Sequence, residues 1–181
     1  MEQTEHNMKR ALHNLALMFN MLILLTMVGV GAYGISEAQA QERERQNLRM
    51  VSDADFHCLQ QNVYWEARNQ STLGQVAVAW VTLNRMMDSR WPSTICEVVW
   101  QRKQFSWTHD GKSDEPNLAD TLEALAWHDA GTVAEVVLIE WAHGRPGPVE
   151  DAVMFHATYV DPYWTNNFNR VVQVDSHIFY N

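Results

Sequence analysis

The stretch from Asn62 to Arg85, "NVYWEARNQSTLGQVAVAWVTLNR", indicates a helical core. Apolar residues recur every three or four positions between Phe56 and Ala67, which is the spacing of one helix face. We predict a first helix from residue 56 to about residue 70. The following segment is apolar on more than one side, as is typical of a buried helix. We predict a second helix over residues 73–89, at the centre of the core.

Glu66 is the one acid in this stretch, and it lies at the edge of the apolar face, one turn after Val63. Burial raises the pKa of a carboxyl group, and a raised pKa suits a general acid that must keep its proton near neutral pH. A salt bridge to Arg68, Arg85 or another basic residue is the alternative. Helical periodicity by itself favours the salt bridge, because ion-paired carboxylates outnumber catalytic ones.

Three more helices are predicted downstream of the core helix. The segment "WPSTICEVVWQ", residues 91–101, contains the capping-box pattern Thr94-x-x-Glu97, which predicts a short helix. Two further helices are predicted over residues 117–130 and 132–143. The motif "HGRPGP" at residues 143–148 ends this helical region, because its Pro and Gly residues do not continue a helix.

The C-terminal part of the chain changes from helical to strand patterning. The segments "DAVMFHATYV" (residues 151–160) and "NRVVQVDSHIFY" (residues 169–180) are rich in Val, Phe, Tyr and Ile. Such composition predicts two strands, on either side of the turn-forming "DPYWTNN". Helices followed by a small sheet define an α+β fold that is mostly helical.

The composition bounds the class of protein. The chain has 181 residues, of which 46% are hydrophobic, which is enough for one domain with its own core. A net charge of -9 and the lack of a Lys and Arg cluster argue against a nucleic-acid partner. We predict a monomer in which residues 41–55 form a linker and residues 56–181 form the folded domain.

The N-terminal segment predicts membrane targeting. From Leu15 to Ile35 the chain has no charged residue, and this run is long enough to cross a bilayer, which needs about 20 apolar residues. Lys9 and Arg10 precede it, so we expect a cytoplasmic N-terminus and an exported domain, in the periplasm or at the outer face of the inner membrane. We expect residues 1–40 to be either a signal peptide, cleaved after Ala38-Gln39-Ala40, or a retained signal-anchor helix in the membrane.

The cysteines and histidines bear on disulfide and metal chemistry. Compartments outside the cytoplasm are oxidising, so Cys58 and Cys96 are predicted to form a disulfide. The sequence has no HExxH pair and no cysteine-rich cluster, and we predict no metal and no cofactor. No GxSxG motif supports a serine nucleophile. Scattered histidines can still converge on a metal in the folded chain; those of the domain are His57, His109, His128, His143, His156 and His177.

Four segments, in chain order, carry a resemblance to a known family. They are residues 62–85, quoted above, "WPSTICEVVWQRKQFSW" at residues 91–107, "MFHATYVDPYW" at residues 154–164 and "SHIFY" at residues 176–180. Together they resemble the signature blocks of the SleB-like (spore-cortex-lytic) cell wall hydrolases. The usual "EARGE" of that family reads Glu66-Ala67-Arg68-Asn69-Gln70 here, so the second acid of the motif is replaced.

The resemblance implies a lysozyme-like α+β fold, distantly similar to lytic transglycosylases. It implies an enzyme that cleaves the glycan strands of peptidoglycan between N-acetylmuramic acid and N-acetylglucosamine. Its implied catalytic residue is Glu66, which protonates the glycosidic oxygen and later takes a proton back. The sugar's own 6-hydroxyl attacks C1 as Glu66 takes this proton from it. No second carboxylate is therefore needed to activate water.

The same resemblance implies a set of substrate-binding residues. Gln104 and Ser106 are expected to hydrogen-bond a sugar, and Trp107 is expected to stack on one. Tyr64 and Arg68 flank the catalytic acid within one helical turn, and they either tune its pKa or support the helix. For His156, the alternative is a buried ring whose hydrogen bonds are already satisfied. The set is Tyr64, Arg68, Gln104, Ser106, Trp107, His156, Tyr159 and Trp164.

Other functions stay open at this point. A metal-dependent N-acetylmuramoyl-L-alanine amidase would use some of the histidines, and a non-catalytic wall-binding module would not need the acid. The biological setting is open as well, because a retained anchor suits a phage lysis enzyme, or endolysin. A cleaved signal suits a bacterial enzyme that remodels the wall.

Overall fold

The computed structural model describes residues 37, 39–47, 49 and 51–181. Those before residue 50 are helical. The predicted membrane-targeting segment, Leu15 to Ile35, lies outside the described residues, and the division into a linker and a domain stays a prediction. Within the described part, no helix is both long and apolar enough to cross a membrane. The elements below belong to the compact unit Glu44–Asn181.

Helix α1, Asp53–Ala67, begins with a reciprocal cap. The Ser52 hydroxyl accepts a hydrogen bond from the Asp55 backbone N–H at 3.1 Å, and the Asp55 carboxylate accepts one from the Ser52 N–H at 3.3 Å. These bonds satisfy N–H groups that a helix start otherwise leaves without partners. The helix ends at Ala67 rather than near Gln70 as predicted, because Ser71 already caps the next helix.

Helix α2, Thr72–Met87, is the central core helix that the apolar spacing predicted. Val81 and Leu83 are fully buried in it. Thr82 is also buried, and its hydroxyl accepts a hydrogen bond of 3.0 Å from the side-chain amide of Asn62 in α1. This bond pairs the Asn62 side-chain N–H with the Thr82 hydroxyl inside the core and fixes α1 against α2.

Helix α3, Ile95–Val99, is short and is attached to α1 at two points. Thr94 caps it, as the capping-box pattern predicted. The Asp55 carboxylate accepts a hydrogen bond of 3.0 Å from the Cys96 backbone N–H. The predicted disulfide between Cys58 and Cys96 is present, which confirms that prediction. Both attachments hold the short helix beside the first turns of α1.

Helix α4, Thr121–Ala142, shows that the prediction of two helices in this region was wrong. A single helix runs through Gly131, although glycine weakens a helix by about 1 kcal/mol relative to alanine. Gln60 of α1 lies so close that a Cβ at residue 131 would stand 2.8 Å from its Nε2. Glycine therefore leaves room for the Gln60 side-chain amide, which donates a hydrogen bond of 3.0 Å to the Trp127 carbonyl of α4, and this contact between helices is not visible in the sequence.

The C-terminal residues form three strands rather than the two predicted. Strands β1 (Met154–Ala157), β2 (Arg170–Val174) and β3 (His177–Tyr180) make an antiparallel sheet in the order β1-β3-β2. The second predicted strand is in fact a hairpin, because Asp175 has a φ of 47° and turns the chain back. The Asp175 carboxylate also accepts a hydrogen bond of 2.9 Å from the Ser71 N–H, which ties the hairpin to the start of α2.

The described part of the chain is thus helix-rich with one small antiparallel sheet, and the α+β prediction is confirmed at that level. The sheet packs on the helices through Phe179, which is fully buried. Two connections contain short 3-10 helices, Ser106–His109 and Tyr163–Asn167. Residues in these connections line the cleft that contains Glu66.

Candidate active site

A cleft of about 460 Å³ is lined by residues of both the helices and the sheet. Helix α1 contributes Glu66 from its last turn, and α2 contributes Arg85. Residues 103–106 and strands β1 and β3 supply much of the rest. Of the predicted site residues, the cleft brings together Glu66, Gln104, Ser106, His156, Tyr159 and Trp164.

Glu66 is half-buried and its carboxylate has no hydrogen-bond partner within residues 51–181. Burial is the main cause that raises the pKa of Glu66 from 4.5 to about 7, and the positive charge of Arg85 opposes this shift. Near neutral pH the carboxyl group is therefore present in both protonated and ionised forms. A group with such a pKa can both donate and accept a proton under physiological conditions.

The salt bridge that periodicity favoured is not present in the described part of the chain. Arg68 instead donates a hydrogen bond of 2.7 Å to the Tyr64 hydroxyl. Arg85 lies near enough for its charge to act on Glu66, but the two do not form an ion pair. Glu66 therefore has a cationic neighbour without the direct contact that would hold it ionised.

Arg85 is a buried cation with a fixed side chain, 3% exposed. Its Nε donates a hydrogen bond of 2.6 Å to the Val153 carbonyl, and its guanidinium lies over the rings of Trp91 and Phe105 at 4.7 Å and 5.2 Å. Burial lowers the pKa of Arg85 to about 10, with Glu66 acting in the opposite direction. The group is therefore charged at neutral pH. The sequence had indicated Arg85 only as an ion-pair partner.

His156, on the sheet side of the cleft, has a hydrogen bond at each ring nitrogen. Its Nδ1 lies 2.9 Å from the Ala157 carbonyl, which only accepts, so Nδ1 carries the proton in the neutral ring. Its Nε2 then accepts from the Tyr180 hydroxyl, also at 2.9 Å. Trp164 packs edge-on against the ring with centroids 5.5 Å apart. This arrangement favours the alternative interpretation of His156, a histidine whose hydrogen bonds are already satisfied.

Three predicted contact residues remain on the cleft surface with polar groups available. The side chains of Gln104 and Ser106 make no hydrogen bond to any other described residue, so both can bond to a ligand. Tyr159 is 87% exposed at the edge of the cleft. These positions are compatible with the sugar-binding roles that the resemblance implied for them.

The other predicted contact residues do not line this cleft. Tyr64 is fully buried, so the expectation that it contacts a substrate directly is incompatible with its position. Burial also raises the pKa of the Tyr64 hydroxyl, and the positive charge of Arg68 opposes this rise. Arg68 and Trp107 line a neighbouring pocket, which shares Ser106 with the cleft. The sequence placed Tyr64 within one helical turn of Glu66, but it did not indicate which way the ring points.

The cleft also contains residues that the sequence had not indicated as contacts, among them Lys103, Met154 and His177. Burial lowers the pKa of His177, and nearby His156 adds to this effect while Asp175 opposes it. In the sequence it was noted only as part of the "SHIFY" segment and as one of the scattered histidines. Within the described residues, no three His, Cys, Asp or Glu side chains lie close enough together to hold one metal ion.

The fold and the acid define the class of site. A half-buried carboxyl group with a raised pKa, set in an open cleft, is typical of the proton donor in enzymes that cleave glycosidic bonds. The sequence profile of the Cell Wall Hydrolase family matches residues 69–180, and the chain belongs to this family. This result confirms the predicted resemblance. The matched range begins shortly after Glu66, so the acid itself lies outside it.

Similar proteins include several spore cortex-lytic enzymes. That of Halalkalibacterium halodurans is 37% identical over 82 residues, which are 43% of this chain and 25% of that protein. That of Bacillus subtilis is 30% identical over 105 residues, which are 52% of this chain and 34% of that protein. The chain thus spans about a quarter to a third of the length of these two relatives.

Two solved structures have the same fold. The catalytic domain of the Bacillus cereus SleB protein is 25% identical with a TM-score of 0.59, and the match covers 72% of this chain and 92% of that one. The catalytic domain of the germination-specific lytic transglycosylase SleB from Bacillus anthracis is 24% identical with a TM-score of 0.56, covering 72% and 96%. The helix-rich fold with a small sheet is therefore that of the SleB catalytic domains.

Proposed function

We propose that this chain degrades peptidoglycan by cleaving its glycan strands between N-acetylmuramic acid and N-acetylglucosamine, as a lytic transglycosylase. The proposal rests on one observation above all. Glu66 has a pKa of about 7 and no ion pair within the described residues, in a cleft lined by polar side chains. A single acid of this kind suits a reaction in which one group gives a proton and then takes one back.

The proposed reaction has two proton transfers and no net consumption of water. Protonated Glu66 gives its proton to the glycosidic oxygen as the bond from that oxygen to C1 breaks. The remaining sugar passes through an oxocarbenium-like state, and its own 6-hydroxyl oxygen bonds to C1. The ionised Glu66 takes the hydroxyl proton, which leaves a 1,6-anhydro sugar and restores the acid.

Arg85 supports the ionised form of Glu66 between these two steps. Its buried positive charge stabilises a carboxylate, and the cleft around both groups limits screening by water. Its side chain is already fixed by the Val153 carbonyl and two aromatic rings. The charge therefore needs little rearrangement when Glu66 loses its proton, which is the condition for effective electrostatic stabilisation.

The comparisons support the substrate class. Relatives are spore cortex-lytic enzymes, and one structural neighbour is a lytic transglycosylase. Gln104 and Ser106 are proposed to hydrogen-bond the sugars, and Trp164 and Tyr159 to provide aromatic surface beside them. These contacts would place the scissile bond over Glu66.

Product analysis tests this proposal. Purified peptidoglycan is digested with the wild type and with Glu66→Gln, and the soluble fragments are identified by mass spectrometry. We expect 1,6-anhydro ends from the wild type and almost no fragments from the variant, because glutamine keeps the shape but has no proton to give. Reducing ends would indicate a true hydrolase. Free stem peptides, or activity lost in a chelator, would indicate the amidase. A Glu66→Gln variant that behaves like the wild type would indicate a wall-binding module.

We propose in addition that the domain acts outside the cytoplasm, in the periplasm or on the outer face of the inner membrane. The uncharged segment from Leu15 to Ile35 supports this location. Cell fractionation, with mass determination of the mature N-terminus, distinguishes a cleaved signal peptide from a retained anchor. Recovery of the full-length chain in the cytoplasm would contradict both.

A further inference from the structure

A second pocket, of about 250 Å³, adjoins the Glu66 cleft. Ser106 lines both spaces, so a ligand in the cleft can continue into the pocket without leaving the protein surface. Two indole rings, of Trp65 and Trp107, line the pocket together with four charged side chains. These charged residues are Arg68, Asp110, Lys112 and Asp114. We call this space the Arg68 pocket.

The charges of the Arg68 pocket are only partly paired. Lys112 Nζ lies 3.2 Å from the Asp110 carboxylate, so these two charges compensate each other. Within residues 51–181, Arg68 has no carboxylate partner and Asp114 has no basic partner. The pocket therefore offers one cation and one anion to a ligand. A neutral sugar would leave both without a partner of opposite charge.

Arg68 is held in position before any ligand arrives. Its Nη1 donates a hydrogen bond of 2.7 Å to the hydroxyl of the buried Tyr64, and its guanidinium lies 4.8 Å and 5.1 Å from the ring centres of Tyr64 and Trp65. A side chain that is already ordered loses little further entropy on binding. Arginine is also the side chain best matched to a carboxylate, because its guanidinium can donate two parallel hydrogen bonds.

The backbone at Asp114 is also held by a hydrogen bond. The Asp114 carbonyl accepts a hydrogen bond of 2.9 Å from the Trp65 indole N–H. The rings of Trp65 and Trp107 are nearly parallel, with centroids 6.3 Å apart. Trp107 is 7% exposed, and its indole N–H has no acceptor among the described residues. The pocket thus combines apolar indole faces with two opposite charges.

We propose that the Arg68 pocket binds the stem peptide of a muramic acid residue whose sugar lies in the adjacent cleft. A peptide carboxylate bonds to Arg68, and the amino group of a diamino acid in the same peptide bonds to Asp114. Peptidoglycan presents these groups directly beside its neutral glycan strand. This inference rests on the proposed function, and it adds that the enzyme selects glycan that carries peptides.

A binding experiment on the full chain tests the inference without requiring turnover. Glu66→Gln is titrated with a soluble disaccharide-peptide and with the same disaccharide lacking its peptide, and tryptophan fluorescence reports occupancy. We expect the peptide-bearing fragment to bind at least about tenfold more tightly, as one charge-assisted hydrogen bond provides. Adding Arg68→Gln should remove this preference, and Arg68→Lys should restore part of it. Adding Arg145→Gln, at an exposed arginine paired with Glu140, should keep it.

The outcomes separate this inference from the proposed function. Equal affinity for the two fragments, or an equal loss for both on Arg68→Gln, would overturn the stem-peptide site and leave the glycan-cleaving function in place. If the wild type released no glycan fragments but binding of the peptide-bearing fragment still depended on Arg68, the glycan-cleaving function would be overturned and the stem-peptide site would be kept. Asp114→Asn provides a second arm, because it should weaken binding only of peptides that contain a diamino acid.

Discussion

The cleft has a helical wall, with Glu66 and Arg85, and a sheet wall, with His156 and His177. The ionisable groups of these two walls differ in their hydrogen bonding. On the helical wall, Glu66 is half-buried without a hydrogen bond from any described residue, and burial raises its pKa to about 7. On the sheet wall, His156 has a partner at each ring nitrogen. Both side chains line the same cleft. One is left free to exchange a proton, and the other is held in one orientation.

This difference bears on which wall would carry the proposed chemistry. A group that must gain and lose a proton cannot be committed to fixed partners, whereas a group that shapes a surface benefits from them. The helical wall is also supported by the disulfide and by the buried Arg85. We infer that the helical wall performs catalysis and the sheet wall holds the substrate.

The largest expected effect separates the two walls directly. Glu66→Gln should lower the rate of fragment release from purified walls by about 10² to 10⁴-fold, because a general acid contributes that much. His156→Gln should lower it by less than about tenfold, since the amide can still bond to Tyr180. Equal losses in the two variants would mean that the sheet wall takes part in the chemistry.

The second effect concerns the stability of the helical wall. Replacing both Cys58 and Cys96 with serine should lower the free energy of unfolding by about 4 kcal/mol, the entropy expected for a crosslink across 38 residues. Urea denaturation measures the change, and wild type in a reducing agent is the matched control. A loss below about 1 kcal/mol would show that α3 is held by its other contacts alone.

The third effect is the stability cost of keeping Glu66 half-buried. Its pKa is raised from 4.5 to about 7 on folding, so the folded state prefers the protonated form. Wild type and Glu66→Gln should be about equally stable below pH 4.5, and wild type should then lose stability as the pH rises to about 7. Above pH 7 the variant should be more stable by about 3 kcal/mol. Denaturation at pH 4 and pH 8 measures this, and no difference at pH 8 would mean that the carboxylate is well solvated.

The smallest effect tests Arg85 as the electrostatic support of Glu66. Arg85→Met removes a charge that lowers the pKa of Glu66, so the alkaline limb of the pH-rate profile should move to higher pH. The free energy of unfolding should fall by about 1 to 3 kcal/mol, because the Val153 carbonyl loses its donor. Arg90→Met, at an exposed arginine paired with Asp88, should move neither. An unmoved limb in Arg85→Met would exclude the electrostatic role.

The helical wall was more predictable from the sequence than the sheet wall. Apolar spacing and capping residues are local signals, so α1, α2 and α3 were predicted with small errors at their ends. The single helix α4 was missed because Gly131 looks like a helix breaker until Gln60 is seen packed against it. The hairpin was predicted as one strand because its turn depends on a positive φ at Asp175. The sequence has no strong turn motif at this position.

Residue types and their spacing were enough to predict the helical core, the disulfide pair and the family resemblance, and they made Glu66 the candidate acid. These depend on residue types at short spacings, which a sequence displays directly. The packed fold was needed to show that Glu66 lacks an ion pair within the described residues, that Tyr64 is buried in the core and that Arg68 lines a second pocket. Burial and the direction of a side chain depend on segments far apart in the chain, because a charge is paired or isolated only once those segments have packed.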